Sequence, residues 1–372
     1  MNLKKYHTLK CITNTLILLV LLGCETNPAR VSQQIESQNN SSSNHGLSTE
    51  ILSSKLSPDD YRFIEEIFRL REFSDQSLER LDKILALDNL YKRDRHTLTL
   101  LKNDLIKIKS DLNSNIEVTA PTELKEIFIK TIFSLPYKFE LTFTNELQAE
   151  DFLKNNGIFC NSLEIDSIKT LAQALSKKDQ NIVVITDNNK DSNLRFVELN
   201  PSHIFTYENQ DPQIFAASIL QITQSDERFK NIDKLAVPIK VQFVPRIRKD
   251  FDLLVFDMDH SAQKKLIPAF RYNYANKLQY YSTIKSLNSI LKKGDFLDYE
   301  EVNFSAPNLF LNNPLILFEE EAILSAIISD WLTLSALKQK NLSTRIFNGS
   351  SGIFQSGRNC VERSLNLSKL KV

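Results

Sequence analysis

Two polar stretches carry the residue types that could do chemistry in this chain. The stretch 187–193 has oxygen-bearing side chains at the first, third and fifth positions of a calcium-loop pattern, and Glu198 stands at the twelfth. The sixth position, which needs glycine for its turn, is Ser192, and the segment before the loop is predicted to be a strand. The two interpretations are a calcium loop and a polar turn between two strands, and the pattern favours the turn.

The second stretch is Asp257-Met258-Asp259-His260, which follows a predicted strand. The carboxyl end of a strand is where open α/β sheets place their ligands, so these side chains could hold a metal or a polar molecule. Asp259 or the next residue, Ser261, could equally cap the helix predicted to follow. Capping is the favoured interpretation.

Other reactive side chains show no catalytic arrangement. The chain contains no H-E-x-x-H, G-x-S-x-G, P-loop or paired-cysteine zinc pattern. Four tyrosines, Tyr272, Tyr274, Tyr280 and Tyr281, could form a platform that stacks on sugars, but packing beside a sheet is the favoured interpretation. We therefore expect no catalytic residue, no metal and no cofactor, which indicates a binding or regulatory protein and not an enzyme.

The segment that ends at Cys24 has the layout of a secretory signal. Three lysines precede an apolar run over 16–22, which is too short to span a bilayer as a helix. The run closes on Leu21-Leu22-Gly23-Cys24, which is similar to the bacterial lipobox, where cleavage precedes the cysteine and the new first residue carries lipid. We predict lipidation of Cys24, palmitate included. In sorted lipoproteins that this segment resembles, an aspartate after the lipidated cysteine often keeps the protein at the inner membrane. This chain has Glu25 there, so we expect the protein to be anchored in the outer membrane, facing the periplasm.

The remaining cysteines, Cys160 and Cys360, leave two interpretations open. They either form a disulfide or lie apart as two small buried side chains.

The net charge of the chain bears on the class of its partner. The chain has 46 basic and 46 acidic residues, and removal of the signal would take away three lysines and no acid. A nucleic-acid partner needs a basic surface, so we expect none.

The elements that position these residues fall into four predicted segments. Residues 1–23 are the lipoprotein signal peptide, and 24–54, rich in Ser, Asn and Gln, are a flexible tether. Residues 55–135 have apolar side chains at helical spacing, which predicts four amphipathic helices, the last of them opened by Pro121. Residues 136–372 alternate strand and helix patterns, which predicts an α/β domain with a mainly parallel sheet covered by helices on both faces.

The predicted strands of the α/β domain lie at 139–143, 158–163, 182–185, 196–199, 241–244, 252–256, 279–281 and 302–304. The predicted helices lie at 146–155, 168–175, 212–222, 261–272 and 320–339. Three of the seven glycines, Gly349, Gly352 and Gly357, fall within nine positions near the end of the chain. Such clustering indicates a tight backbone segment where side chains would clash.

An ordered set of residues from Arg248 onward resembles the C-terminal domain of the LppC family of lipoproteins. The stretches 253–256 and 263–268 belong to the match, and a weaker similarity lies at Leu199, Asn200 and 211–217. The other matching residues are Arg248, Asp250, Asp252, Tyr274, Ala275, Leu278, Tyr281, Thr283, Asp298, Val302, Phe304, Pro307, Asp330, Leu334, Gly349, Gly352, Arg363, Ser364 and Leu365.

The resemblance, which covers about 137–370, implies a fold and a function. It implies a two-lobed domain like the type 1 periplasmic binding proteins, preceded by a small helical, TPR-like unit. It also implies a non-enzymatic activator of a class A penicillin-binding protein, the synthase of peptidoglycan, with a role in cell shape. The alternative from a different class is a lipid-anchored periplasmic receptor for a small polar solute.

Overall fold

Helical spacing near the start of the described chain produces three helices, α1 (Pro58–Ile67), α2 (Asp75–Leu85) and α3 (Lys92–Ser110). Ser57 and Ser74 cap the first two, because each side chain accepts a hydrogen bond from the N–H three residues later. The computed structural model describes residues 52–149, 152, 158–176, 181–187, 195–235, 248, 250–273, 277–289, 293–319, 321–340, 346–357 and 359–371. The predicted signal peptide and nearly all of the predicted tether lie outside these residues.

A buried carboxylate on α3 fixes the first described residues. Asp94 Oδ2 accepts hydrogen bonds from the N–H of Ser53 at 2.9 Å, the N–H of Ser54 at 2.7 Å and the Ser54 hydroxyl at 2.5 Å. The Ser54 Oγ in turn accepts from the N–H of Tyr91 at 2.7 Å. Residues 53 and 54 are therefore held against the first turn of α3.

A strand that the sequence analysis did not predict follows α3. Strand β1 (Asn115–Pro121) leads through a 3₁₀ turn into α4 (Lys125–Ile132), and β2 (Lys138–Thr144) follows. The two strands pair in parallel over seven residues, so the sheet crosses the predicted boundary at residue 136. Helix α4 confirms that a fourth helix is present, but Pro121 does not open it, because Pro121 is the last residue of β1 and the helix begins at Lys125. The alternating apolar residues of β1 had been assigned to the helical segment.

Strands and helices alternate through most of the remaining chain. In chain order the elements are α5 (Leu163–Leu175), β3 (Ile182–Thr186), β4 (His203–Thr206), α6 (Pro212–Ile219), α7 (Ile222–Leu235), β5 (Leu253–Asp257), α8 (His260–Tyr272), β6 (Gln279–Ser282), β7 (Val302–Ala306), α9 (Asn308–Asn312), α10 (Ala322–Gln339), β8 (Ile346–Asn348), β9 (Ile353–Ser356), β10 (Val361–Ser364) and β11 (Asn366–Ser368).

Six of these strands form one sheet in the order β11-β7-β6-β5-β3-β4. All neighbours pair in parallel except β11, which runs antiparallel to β7 at the edge. Every position of β3 and β5 is buried, as expected of central parallel strands. Alternate side chains pack against α6 and α8 on one face of the sheet and against α5 on the other.

The chain then returns to the two-stranded sheet. Helix α10 packs against α4 and β1, where the Trp331 ring lies 5.9 Å from the Phe128 ring. Strands β8, β9 and β10 form a separate antiparallel sheet. The mixed α/β architecture with parallel sheets confirms the predicted fold class. Within the described residues, no helix combines the length and apolarity needed to cross a bilayer.

Two predicted strands are wrong. At 158–163 only Phe159 makes a single bridge, to Val361, and Ser162 caps α5 instead. At 196–199 the chain forms a 3₁₀ turn that ends at Asn200 with a left-handed φ of 47°, and the strand begins at His203. The predicted strand at 241–244 and most of the predicted helix at 146–155 lie outside the described residues.

Candidate functional site

The carboxyl ends of four parallel strands open into a polar cleft of about 610 Å³. Each wall residue follows its strand closely, since Asp187 comes directly after β3 and Tyr207 directly after β4, while Asp259 and Lys285 follow β5 and β6 by two and three residues. We call this cavity the cleft. Its full lining is Asp187, Tyr207, Glu208, Asn209, Asp259, Ser261, Ala262 and Lys285.

The charged groups of the cleft contact one another. The Lys285 ammonium forms an ion pair with Asp187 Oδ1, and Asp187 Oδ2 accepts a hydrogen bond from the N–H of Asp259 at 3.0 Å. The side chains of Lys285 and Asp187 are 17% and 21% exposed, so solvent reaches both. A small ligand that carries an ammonium or a carboxylate could exchange with these contacts at a modest desolvation cost.

A group of charged and polar side chains, with the buried Asp257 at its centre, lies next to the cleft at the ends of β5 and β6. Asp257, the last residue of β5, accepts a hydrogen bond from the Thr283 hydroxyl at 2.7 Å and lies 3.3 Å from the Arg195 guanidinium. Arg195 also pairs with Glu164 at 2.8 Å. Burial raises the pKa of Asp257, and the nearby Arg195 opposes that rise. Asp257 therefore ties β5 to the segment after β6 and does not face the cleft.

His260 lies in a third environment. Its Nδ1 is 2.5 Å from the Tyr299 hydroxyl, and its Nε2 is 3.3 Å from Asp295 Oδ2. Burial lowers the pKa of His260, with Asp295 acting in the opposite direction, and burial raises the pKa of Tyr299. Burial thus favours the neutral imidazole, which serves as a packed hydrogen-bonding group.

The side chains of the 257–260 motif thus lie in different surroundings and do not form one site. The favoured prediction that Asp259 or Ser261 caps the helix is wrong. Asp259 occupies the N-cap position of α8 but its side chain makes no capping hydrogen bond, and Ser261 lies inside the helix. The N–H of Asp259 donates to Asp187, and Asp259 lines the cleft.

A second group of charges does not line the cleft and is buried. Arg363 on β10 lies 3.6 Å from Asp166 on α5, and its guanidinium carbon lies 4.4 and 5.2 Å from the ring centroids of Phe159 and Phe354. Asp330 on α10 completes the group and acts on Arg363 through its charge. We call Asp166, Asp330 and Arg363 the joint, because they connect three segments that are distant in sequence.

The carboxylate of Asp330 also organises the glycine-rich turn. It accepts hydrogen bonds from the N–H of Ser350 at 2.7 Å, the N–H of Ser351 at 2.5 Å and the Ser351 hydroxyl at 2.7 Å. A Cβ on Gly349 would lie 2.5 Å from Asp330 Oδ2, and Gly352 has a φ of 147° beside Arg363. The prediction that these glycines mark a tight backbone segment is confirmed.

Burial controls the ionisation of the joint. It raises the pKa of Asp166 to about 6, against the opposing attraction of Arg363 and the hydrogen bond from Asn161. Burial likewise raises the pKa of Asp330 and lowers the pKa of Arg363. Two carboxyl groups share one guanidinium, so the group takes up a proton more readily than isolated aspartates would.

A disulfide between Cys160 and Cys360 lies next to the joint. The two Cα atoms are 5.0 Å apart across a separation of 200 residues. Backbone hydrogen bonds between Cys160 and Val361 and between Val361 and Ile158 hold the same two segments together. Of the two interpretations that the sequence left open, the structure therefore shows the disulfide.

The remaining predicted site residues have mixed outcomes. Cys24 and residues 188–194 lie outside the described residues, so the lipidation and calcium-loop interpretations stay predictions. Glu198 pairs with Lys169 at 3.6 Å. The packing interpretation is confirmed for Tyr280 and Tyr281, which are buried, whereas Tyr272 is 75% exposed and Tyr274 is not described. No three His, Cys, Asp or Glu side chains of the described chain come together as a metal site requires.

The cleft residues that follow β4 and β6 were not predicted from the sequence. Tyr207, Glu208 and Asn209 were overlooked because β4 was predicted seven residues too early. Lys285 follows a correctly predicted strand, so the rule that ligands gather at carboxyl ends could have identified it. Arg195 and Glu164 gave no signal, and the pairing of Arg195 with Asp257 depends on tertiary contacts that the sequence does not reveal.

Comparison with known proteins yields matches to solved structures alone. No protein-family model matches the chain, and no curated protein matches it. Among solved structures, the C-domain of LpoA (YraM) from Haemophilus influenzae, a regulator of PBP1A, aligns with 72% of this chain and 83% of its own, at 12% identity and a TM-score of 0.39.

Two further structures are similar to the same degree. A longer Haemophilus influenzae LpoA structure aligns with 92% of this chain at 14% identity and a TM-score of 0.38, and the chain spans 64% of it. A putative branched-chain amino acid ABC transporter from Rhodospirillum rubrum aligns with 83% of this chain and 93% of its own, at 11% identity and a TM-score of 0.37.

Proposed function

We propose that this protein is an outer-membrane lipoprotein that faces the periplasm and activates a class A penicillin-binding protein by contact, without catalysis of its own. The observation that carries the proposal is the position of the residues on which the LppC resemblance rests. Asp330, Gly349, Gly352 and Arg363, all in that set, meet at the joint. Matches scattered by chance through a sequence have no reason to converge on one buried charge.

The proposed anchor suits this role. A lipid on Cys24 followed by a tether of about 30 residues gives the folded part a reach of about 100 Å when the tether is extended. Several acyl chains on one cysteine would hold the protein permanently at the membrane. The folded part could then contact a synthase that is anchored in the opposite membrane.

The direct test is a polymerisation assay with purified components. The full chain carrying Cys24→Ser is added to each class A penicillin-binding protein of the same cell, and glycan-strand synthesis from lipid-linked precursor is followed. We expect a severalfold rise in rate for one synthase, and the same rise with Lys285→Ala, because the cleft has no part in the contact. An unchanged rate with every synthase of this class would refute the activator role.

The anchor has its own test. We expect Cys24→Ser to disappear from the outer-membrane fraction, because serine is not lipidated at this position. Metabolic labelling with palmitate should mark the unaltered chain and leave the variant unlabelled. A variant that stays in the outer-membrane fraction would remove lipidation from the proposal.

A second candidate function is a receptor for a small polar solute, favoured by one observation, the cleft at the carboxyl edge of the sheet. Charged groups of both signs line it, which suits a zwitterion such as an amino acid. The test is a thermal shift with amino acids and peptidoglycan fragments. A receptor should show a rise in melting temperature that Lys285→Ala and Asp187→Asn abolish, and no rise with any of these ligands would count against it.

A further inference from the structure

The two-stranded sheet has one edge that the described residues leave open. Strand β2 pairs with β1, and no other strand of the described chain pairs with it. The opposite edge of this sheet is covered, because α10 packs against β1 and the Gln339 amide donates a hydrogen bond to the Glu117 carbonyl at 2.8 Å. An uncovered edge presents a row of backbone donors and acceptors to which another strand can pair.

The described chain after β2 also leads away from this edge. The N–H of Ala149 donates a hydrogen bond to Glu123, which lies just beyond the end of β1. Phe152 then packs against Trp331 of α10, with the ring centroids 4.9 Å apart. The described residues on both sides of the sheet thus cover β1 and leave the outer edge of β2 uncovered.

The apolar row on one face of this sheet is incomplete at β2. Ile116, Val118 and Ala120 of β1 are buried, but their partners in the register, Phe139, Leu141 and Phe143, are only half-buried. Two large apolar side chains near the ends of the strand are exposed as well, Phe133 at 84% and Leu147 at 38%. A further strand beside β2 would extend the row and bury it.

The sequence of β2 is complementary to itself when the strand is reversed. With Leu141 at the centre of an antiparallel pair, Phe139 opposes Phe143 and Glu140 opposes Thr142, while Lys138 opposes Thr144. Apolar side chains meet apolar ones, polar side chains meet polar ones, and no like charges face each other. These are the cross-strand pairs that stabilise antiparallel strands.

We propose that the occupant of this edge is a second copy of the chain. The two β2 strands pair antiparallel about a twofold axis at Leu141, which joins two small sheets into one of four strands. A twofold axis requires a self-complementary surface, and the residues of β2 supply one. This inference is independent of the proposed function.

Cysteine cross-linking tests the register directly. Residues directly opposite in an antiparallel pair have Cα atoms about 4.5–5.5 Å apart, within reach of a disulfide. The purified full chain carrying Leu141→Cys should therefore form a dimer on mild oxidation, seen as a doubled mass on a non-reducing gel. The native disulfide between Cys160 and Cys360 remains in place as an internal control.

Two further variants provide the matched control. The two copies of Lys138 lie about 20 Å apart in this register, at about 3.4 Å per residue, and so do the two copies of Thr144. Lys138→Cys and Thr144→Cys should each stay monomeric on the gel, whereas an equimolar mixture of the two should give a cross-linked heterodimer. Dimers from either variant alone, or none from the mixture, would overturn the register.

Sedimentation equilibrium provides a measurement without cysteines. Thr142→Lys places a lysine opposite Glu140 of the second copy, twice per dimer, and should lower the dimer Kd about fivefold. Adding Glu140→Lys puts like charges in both places and should raise the Kd above that of the unaltered chain. A protein that stays monomeric at about 100 µM, or a Leu141→Cys variant that cross-links in intact envelopes only to a different protein, would overturn the assignment of a second copy.

Discussion

The joint and the cleft are both built from carboxylates beside one basic side chain, Arg363 in the joint and Lys285 in the cleft, and they differ in their access to water. In the joint, the side chains of Arg363 and Asp166 are 1% and 3% exposed, and the guanidinium contacts the rings of Phe159 and Phe354. In the cleft, Lys285 and Asp187 keep about a fifth of their surface in solvent. Charges in the joint hold segments together, whereas those in the cleft remain exchangeable.

This difference follows from desolvation. Ions removed from water must find all their partners inside the protein, so the loss of one leaves the others buried without compensation. Ions at a solvent boundary recover most of the lost interaction from water. Identical residue types at the two places are therefore expected to respond differently to substitution and to pH.

The largest effect is expected from removal of the cation in the joint. Arg363→Met should lower the free energy of unfolding by about 3–5 kcal/mol at pH 7.5, because it leaves Asp166 and Asp330 buried without a counter-charge. Urea denaturation followed by circular dichroism measures this loss. Arg363→Lys keeps the charge and loses the planar stacking, so its loss should be smaller. A loss below about 1 kcal/mol for Arg363→Met would contradict the claim that the buried charges of the joint matter more for stability than those of the cleft.

The joint should also make stability depend on pH. The pKa of Asp166 is about 6 in the folded protein, above the ordinary 3.8, so the folded state binds its proton more tightly than the unfolded state does. Stability from this group is fully present below about pH 4 and is lost as the pH rises to about 6, by at most about 3 kcal/mol.

Denaturation midpoints measured from pH 4 to pH 7 test this slope. Asp166→Asn should flatten it, whereas Asp187→Asn in the cleft should leave it in place. An equal slope in the unaltered chain and in Asp166→Asn would assign the titration to another group.

A smaller effect is expected from steric intrusion into the joint. Gly349→Ala places a Cβ 2.5 Å from Asp330 Oδ2 and from the Phe354 ring. The backbone must shift, and the free energy of unfolding should fall by about 1–3 kcal/mol. Ser356→Ala on the exposed part of β9 is the matched control and should change stability by less than about 0.5 kcal/mol. Equal losses of unfolding free energy in both variants would mean that the backbone around Gly349 can shift to accept a Cβ at no extra cost.

The smallest effect is expected in the cleft. Lys285→Ala removes an ion pair at the solvent boundary, so stability should change by less than about 1 kcal/mol in the same urea experiment. Raising the salt concentration to 1 M should reduce even that difference, because exposed charges are screened. A loss as large as that of Arg363→Met would show that the two places do not differ.

The sequence predicted the parts of the fold that depend on local pattern. The continuous apolar runs of β3 and β5 and the long, mostly apolar segment of α10 stand out in the sequence, and their bounds differ from the predicted ones by one or two residues. Strand β1 was missed because its alternation of Ile116, Val118 and Ala120 lies between helical patterns, and its partner β2 lies beyond the intervening helix α4. Parallel pairing of this kind has no local signal.

The candidate site was less predictable for the same reason. Asp259 was found by its position after a strand, but the partner that fixes its backbone, Asp187, lies 72 residues away. The joint depends on three segments whose meeting no spacing rule predicts. Asp330 and Arg363 were named only through the family resemblance. The neighbouring glycines were visible in the sequence itself, because a cluster of glycines is unusual in a chain that has seven in all.

The attachment of Ser53 and Ser54 to Asp94 has a mechanical consequence. A force applied through the residues before 52 acts first on the hydrogen bonds to Asp94. This buried carboxylate accepts two backbone N–H groups and one hydroxyl, from Ser53 and Ser54. These hydrogen bonds share the load in parallel, and they pass it into the 19-residue helix α3. If the chain is anchored at Cys24 as proposed, tension between the membrane and a bound partner reaches this clamp first, so Asp94→Ala should lower the force at which the chain begins to unravel in an optical trap.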